Sequence, residues 1–148
     1  MGNIAWACAA GSRDVVEVHG SIRTSSCLDC GHTETFDQVV RLLETTPAPV
    51  CAECGSVLKP DVVMFGELLP EAAIDRADAL ARNARLLLVV GSSLGVYPVA
   101  DLPRVTLEAG GRLAIVNRDP TPFDRAAALT IHAGAGDTLT AVCNYLRA

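Results

Sequence analysis

The sequence predicts an α/β protein in which apolar strands alternate with helices and a small cysteine-rich module precedes them. After residue 58 the chain alternates between segments of helical and of strand periodicity. Before residue 58, two closely spaced cysteine pairs frame a segment with a different pattern. The 148 residues suffice for one domain with a small insertion, and the 50% hydrophobic content is enough to form a packed core.

The part of the chain after the cysteine pairs contains three predicted strands and three predicted helices. Leu86–Val90 is apolar throughout, which is typical of a strand buried in a parallel sheet. The other predicted strands cover 112–116 and 129–132, and the predicted helices cover about 71–83, 99–109 and 138–146. This order of elements corresponds to the second half of a Rossmann-like, doubly wound parallel sheet.

The first part of the chain is predicted to hold one strand and one short helix. Val15–Val18 alternates like a strand and ends at His19-Gly20. Residues 36–43 place their apolar side chains on one helical face, which predicts a helix between the cysteine pairs. We therefore divide the chain into residues 1–24, a module at 25–58, and residues 59–148.

The two cysteine pairs predict a structural zinc site. Cys27 and Cys30 are followed, after a separation of twenty residues, by Cys51 and Cys54, and a glycine follows each pair. Each pair forms a tight turn that presents two thiolates, and four thiolates complete the tetrahedral shell of Zn²⁺ without leaving an open position. The alternatives are two disulfides or free thiols, but no export signal points to an oxidising compartment.

Charge and hydropathy argue against nucleic-acid and membrane binding. The formal net charge is -5, and no basic stripe is present to contact phosphates. The longest apolar run, Leu86–Val90, is too short to span a bilayer. The first residues lack a charged segment followed by a long apolar one, so we expect a cytoplasmic protein.

Several further motifs flank the cysteine pairs in a fixed order, and together they resemble the sirtuin family of NAD-dependent protein-lysine deacylases. The family pattern is histidine-glycine, a four-cysteine zinc ribbon, K/R-P-D-V-V-x-F-G-E, G-T/S-S-L-x-V-x-P and then I/V-N. The resemblance covers about residues 10–147. The matching segments are Val16-Glu17-Val18-His19-Gly20-Ser21, Leu58-Lys59-Pro60-Asp61-Val62-Val63-Met64-Phe65-Gly66-Glu67, Val89-Val90-Gly91-Ser92-Ser93-Leu94-Gly95-Val96-Tyr97-Pro98 and Ile115-Val116-Asn117.

The resemblance implies that His19 is the catalytic base. In sirtuins the acyl oxygen of a modified lysine attacks the nicotinamide ribose and expels nicotinamide, and a histidine then accepts a proton from the ribose hydroxyls. An imidazole suits this role at cellular pH. Taken alone, a histidine-glycine pair is more often an ordinary strand end.

The resemblance also implies a site for an acyl-lysine peptide. Val62, Val63 and Phe65 would line an apolar channel that favours the uncharged acyl-lysine over a free ammonium. Gly66 and Glu67 on one side, with Val96 and Pro98 on the other, would hold the peptide as an added strand. The alternative for this segment is an ordinary buried strand followed by a turn.

A third implication of the resemblance is an NAD site at the ends of the parallel strands. The residues implied are Gly91, Ser92 and Ser93 after one strand, Asn117, Arg118 and Asp119 after the next, and Ala135, within Gly134-Ala135-Gly136, after the third. Each group taken alone is more often a plain turn between strand and helix. In these terms residues 1–24 are a remnant of the Rossmann-like domain, 25–58 the zinc-binding module, and 59–148 the C-terminal half of the NAD-binding domain.

The sequence departs from the family pattern at its start. The glycine-rich pyrophosphate loop of the family has no counterpart among these residues, and only Asn3-Ile4 matches a later N-terminal motif. We therefore expect weak or absent catalysis, and an open sheet edge that a missing N-terminal half or a partner would cover. The alternative function is an inactive zinc-ribbon remnant that binds acyl-lysine peptides or a protein partner.

Overall fold

The computed structural model describes residues 11–147, which form two compact units that are joined between Pro70 and Glu71. We call residues 11–70 the N-terminal unit and residues 71–147 the C-terminal unit. Asn3, Ile4 and the rest of the first ten residues lie outside the described part of the chain.

The N-terminal unit is built on a three-stranded antiparallel sheet. Its strands are β1 (Gly20–Cys27), β2 (Thr33–Thr35) and β3 (Leu58–Val62), and β1 lies in the centre. Helix α1 (Phe36–Leu43) follows β2 directly and has the predicted bounds. It begins where it does because Thr35 forms a capping box: its hydroxyl accepts from the Gln38 amide, and the Gln38 side chain accepts from the Thr35 amide.

The prediction of a strand at Val15–Val18 is wrong. These residues lack strand pairing, and the chain turns at Val18 and His19, closed by a hydrogen bond of 3.0 Å from the Gly20 amide to the Glu17 carbonyl. The valine alternation misled the prediction because Val18 is buried within a turn rather than within a sheet. The strand begins instead at Gly20 and runs into the first cysteine.

The C-terminal unit has the predicted α/β order, with a parallel sheet of three strands arranged β4-β5-β6. Its elements are α2 (Glu71–Asn83), β4 (Leu86–Val90), α3 (Leu102–Glu108) after a 3-10 turn at Val99–Asp101, β5 (Arg112–Val116), β6 (Leu129–Ile131) and α4 (Ala135–Arg147). The parallel pairing of β5 with both neighbours confirms this half of the predicted sheet. Within residues 11–147, no helix combines the length and apolarity needed to cross a bilayer.

The last helix begins three residues earlier than predicted. The Gly134 carbonyl accepts hydrogen bonds from both the amide (3.1 Å) and the hydroxyl (2.9 Å) of Thr138. These bonds close a helical turn over Gly134-Ala135-Gly136, a segment that the sequence placed in a loop. The Thr138 hydroxyl thus helps to offset the low helix propensity of Gly136 in the first turn.

The core of the C-terminal unit lies on one face of the sheet. Leu113 and Ile115 on β5 are fully buried, and they pack with Val89 and Ala100. Just before β5 the chain is tightly packed at Gly111, where an added Cβ would lie 2.3 Å from the Ala84 carbonyl oxygen and 2.7 Å from the Thr106 methyl group of α3. Only glycine fits at this position.

The other face of β4 is bare in this unit. Leu86, Leu88 and Val90 are 58%, 50% and 37% exposed, although the sequence favoured a strand buried on both faces. Among the described residues, β4 pairs only with β5, so its second edge has no strand neighbour. An exposed apolar face beside an open edge is typical of a surface that another polypeptide segment covers.

Candidate metal centre and active-site residues

The four paired cysteines converge on one point in the N-terminal unit. Their sulfur atoms all lie within 4.8 Å of one another. The closest pairs, Cys27 with Cys54 and Cys30 with Cys51, are 3.5 Å apart, far longer than a disulfide bond of about 2.05 Å. Four sulfurs at about 2.3 Å from a tetrahedral zinc ion would be separated by about 3.8 Å. The cluster therefore fits a structural zinc ion, as the spacing predicted.

The two cysteine turns have the same backbone geometry. In each, the amide of the following glycine donates to the carbonyl of the first cysteine at 2.9 Å: Gly31 to Cys27, and Gly55 to Cys51. Both glycines have a positive φ, +75° and +77°, which a side chain would disfavour. Because the two turns are alike, each cysteine pair presents its two sulfur atoms from the same backbone geometry.

Backbone amides and neighbouring thiols shift the pKa values within the cluster. The Ser56 amide donates to the Cys54 sulfur and is the main reason that the pKa of this thiol is lowered to about 7. At Cys30 the His32 amide also lowers the pKa, but hydrogen bonds with the thiols of Cys51 and Cys54 raise it to about 12. A metal ion binds thiolates and displaces their protons, so metal binding weakens as the pH falls.

His19 lies in the exposed turn before β1, next to the end of β3. The Val63 amide donates to the His19 carbonyl at 3.0 Å, and Gly20 pairs with Val62. Gly20 has a φ of +68°, and an added Cβ there would lie 1.9 Å from the Asp61 carbonyl oxygen. The glycine after the histidine is therefore required for β1 to approach β3.

The segment after β3 is held in shape by Lys59 and Glu67. The Lys59 ammonium donates to the Val62 carbonyl at 2.9 Å and forms an ion pair of 3.0 Å with Glu67. The Glu67 carboxylate also accepts from the Met64 amide at 2.8 Å. The Met64 amide, followed by Lys59, lowers the pKa of Glu67, so this carboxylate stays ionised and closes the loop.

This closed loop presents apolar side chains to solvent. Val62 and Val63 are half-buried, whereas Phe65, at the tip beside Gly66, is 99% exposed. Gly66 has a φ of +90° with open space around it. The other two residues proposed for the peptide, Val96 and Pro98, belong to the C-terminal unit and are exposed there.

The residues proposed for the cofactor lie at the carboxyl edge of the parallel sheet. The Gly91 amide donates to the Val116 carbonyl at 2.9 Å, and the Asn117 amide donates to the Ile131 carbonyl at 3.1 Å. These bonds align the ends of β4, β5 and β6. Ligands of open α/β sheets bind at this edge.

The polar groups at this edge differ in exposure. Asn117 is 9% exposed, and its side-chain amide donates to the Asp119 carbonyl at 2.8 Å, whereas Arg118 and Asp119 are exposed. Ser93 is exposed, while the half-buried Ser92 accepts from the Leu94 amide at 3.3 Å. Ala135 is half-buried in the first turn of α4.

Three residues that shape the N-terminal unit received no role from the sequence. Gly20 makes the close approach to Asp61, Lys59 closes the loop, and Asp61 accepts from Thr24 at 2.5 Å. The sequence signal that could have identified Lys59 and Asp61 is that both are charged within an otherwise apolar strand. Charged residues in such a strand indicate specific partners for both charges.

Comparisons with known proteins identify relatives for most of the chain. A sequence profile of the Sir2 family matches residues 6–98. The chain is 44% identical over 120 residues to an NAD-dependent protein deacetylase of Thermotoga maritima, covering 81% of this chain and 49% of that protein. It is 48% identical over 139 residues to an NAD-dependent protein deacetylase of Chromobacterium violaceum, covering 94% of this chain and 53% of that protein.

Solved structures share the fold. Sir2Tm bound to a propionylated peptide is similar with a TM-score of 0.89 and 40% identity, over 92% of this chain and 57% of that one. A Sir2 complex with a p53 peptide and NAD+ is similar with a TM-score of 0.88 over the same shares. The chain thus spans about half the length of the curated relatives that it matches.

We predict that the N-terminal unit requires its metal. Cys51→Ser removes a buried ligand, and because structural zinc contributes about 10–16 kcal/mol, this unit should lose both its zinc and its dispersed NMR signals. Cys143→Ser, at an exposed position, should keep one zinc per chain. Metal content by mass spectrometry and NMR spectra of both variants check this. Full zinc loading in Cys51→Ser would contradict the assignment.

We also predict that Gly20→Ala is more damaging than Gly66→Ala. Both positions have a positive φ, but only at Gly20 does an added Cβ collide with backbone. The free energy of unfolding should fall by more than about 2 kcal/mol in Gly20→Ala and by about 1 kcal/mol in Gly66→Ala. Denaturant titration measures both, and equal losses would show that the close approach of β1 to β3 is not constrained.

Proposed function

The chain belongs to the Sir2 family, and on that premise we propose that it is the zinc-binding and C-terminal part of an NAD-dependent protein-lysine deacylase. Support comes from its relatives, which are named NAD-dependent protein deacetylases, and from solved relatives that hold acylated peptides or NAD+. The proposed reaction moves the acyl group from lysine to ADP-ribose and releases nicotinamide.

The observation that carries the proposal is the hydrogen bond from the Val63 amide to the His19 carbonyl, 3.0 Å long. It joins the proposed base to the proposed acyl-lysine segment. The His19 side chain is exposed, so it is accessible to a substrate hydroxyl. A general base must come within hydrogen-bond reach of the proton that it accepts, and His19 is free to do so.

The loop after β3 suits an acylated lysine. Val62, Val63 and Phe65 provide apolar contacts that favour a neutral acyl-lysine and disfavour an ammonium, which would lose its hydration. The ion pair between Lys59 and Glu67 holds the turn over residues 64–67 in one shape. In this proposal a peptide strand is added beside this turn, at Gly66. Val96 and Pro98 of the C-terminal unit remain predicted peptide-contacting residues, on the family resemblance alone.

The residues at the sheet edge suit a dinucleotide. NAD+ would supply the ribose that receives the acyl group, and the groups proposed to hold it are Gly91, Ser92, Ser93, Asn117, Arg118, Asp119 and Ala135. Gly91 fits this role because the space where a Cβ would lie is open, which lets a ligand approach the backbone. Exposed Ser93 and Arg118 offer a hydroxyl and a cation to phosphate or ribose.

We propose a further polypeptide segment as the partner of β4. The bare face of Leu86, Leu88 and Val90 and the open edge of this strand fit a parallel strand with covering helices. The relatives are about twice as long as this chain, so their remaining half is the occupant that we propose. NAD+ affinity and catalysis in this proposal depend on that half.

The second candidate function is an inactive module that binds acyl-lysine peptides or a protein partner. It is favoured by the intact loop of Val62–Glu67, which keeps its shape through contacts within the N-terminal unit. Nucleic-acid binding has no support because the net charge is -5.

We also propose a cytoplasmic location, since four metal-binding thiols need a reducing compartment.

We predict that His19→Ala abolishes deacylation. The assay is the formation of deacetylated peptide from NAD+ and an acetylated peptide, because nicotinamide leaves before the histidine acts. It is performed on the chain joined to the preceding half of the Thermotoga maritima relative. Loss of the general base should lower the rate at least about 100-fold. His32→Gln, which changes a histidine paired with Glu34 in the same unit, should keep the rate. Activity that survives His19→Ala would refute the assigned role, and peptide binding without nicotinamide release would favour the second candidate.

We further predict that the chain alone binds NAD+ poorly. The protein joined to the missing half should gain NAD+ affinity through contacts of that half with β4. Calorimetry should detect micromolar binding by the joined protein but not by the chain alone. Leu88→Lys, on the bare face, should weaken binding by the joined protein, whereas Val57→Lys, at a still more exposed position of the other unit, should not. Micromolar binding by the chain alone would contradict this dependence.

A further inference from the structure

A hydrogen-bond network joins the end of β6 to the segment that follows β5. The Nε2 atom of His132 lies 3.2 Å from Oδ2 of Asp124, and its Nδ1 atom lies 3.3 Å from the carbonyl oxygen of Asn117. Both neighbours are acceptors. A neutral imidazole carries one N–H and makes one of these two bonds, whereas the protonated ring makes both.

Asp124 is held in place independently of the histidine. The Thr121 hydroxyl, on a side chain that is 9% exposed, donates to Oδ1 of Asp124 at 2.6 Å. This bond is the main reason that the pKa of Asp124 lies below its usual range, and His132 adds to the effect. The carboxylate is therefore ionised, and its second oxygen is available to His132.

Asn117 is held at the other end of the network. Its backbone amide donates to Ile131 at 3.1 Å, and its side chain donates to the Asp119 carbonyl at 2.8 Å. His132 thus connects Asn117, the first residue of segment 117–124, to Asp124, its last residue. An exposed histidine-carboxylate pair adds little to global stability, but a bridge across seven residues restricts the shape of the segment between them.

We propose that His132 and Asp124 are positioning residues that hold segment 117–124 in the shape that binds a ribose-bearing nucleotide. This inference rests on the proposed function, because Asn117, Arg118 and Asp119 belong to the cofactor site proposed above. Neither His132 nor Asp124 contacts the ligand in this scheme. They act through the Asn117 carbonyl and the Thr121 hydroxyl.

Three variants of the full chain test the proposal. His132→Leu removes both hydrogen bonds, Asp124→Ala removes one partner, and His132→Asn keeps an amide nitrogen near the position of Nδ1, able to donate to the Asn117 carbonyl. The first readout is amide hydrogen exchange without ligand, at the Asn117 and Asp124 amides, which donate to Ile131 and Thr121. The second is an NMR titration with ADP-ribose of the same variants, joined to the preceding half of the Thermotoga maritima relative as in the NAD+ experiment above.

Loss of the bridge should speed exchange at both amides about fivefold to tenfold in His132→Leu and in Asp124→Ala, with helix α2 unchanged. ADP-ribose affinity should fall by a similar factor, and His132→Asn should restore part of both. Unchanged exchange in His132→Leu would overturn the proposal, as would faster exchange with unaltered affinity. Failure of the unsubstituted joined protein to bind ADP-ribose, with exchange still faster in His132→Leu, would overturn the proposed cofactor site while leaving the ordering role intact.

Discussion

Four sulfur atoms within 4.8 Å of one another are the constraint on which the N-terminal unit depends. The buried apolar cluster of this unit is small, consisting of Cys27, Cys51 and Leu58 with Val39 and Leu42 packed against them. A core of this size does not offset the entropy of ordering sixty residues, and small domains of this kind use metals or disulfides instead. Two of the three core residues are themselves ligands, so the metal centre and the core are one structure.

The metal centre reaches the proposed active site through the pairing of β1 with β3. At one end of this pairing Cys27 lies opposite Leu58, next to the metal, and at the other end Gly20 lies opposite Val62. Between these ends, the register of the pairing shifts between Gly20 and Ser25. The position of His19 is thus set by a strand whose other end is a zinc ligand. The metal takes no part in the proposed chemistry, but it holds the strand that positions His19, the proposed base.

The sequence predicted those features that depend on local pattern. The pairing of the four cysteines, helix α1 with its apolar face, and the apolar strand Leu86–Val90 follow from residue types at short range. The prediction failed at Val15–Val18, because whether alternating valines enter a sheet depends on partners elsewhere in the chain. The close approach of Gly20 to Asp61, the contacts of Lys59, and the start of α4 at Ala135 were not predicted, because they involve tertiary contacts or a single side-chain hydrogen bond. The roles of the individual site residues remain predictions that rest on family membership.

X-ray absorption at the zinc edge of the purified chain tests the central claim most directly. The account predicts one zinc ion per chain with four sulfur neighbours at about 2.3 Å and no nitrogen or oxygen neighbour. A folded N-terminal unit that contains no zinc, or a zinc shell with fewer than four sulfurs, would contradict it. In either case the metal would not be what aligns β1 with β3, and the position of His19 would need another cause.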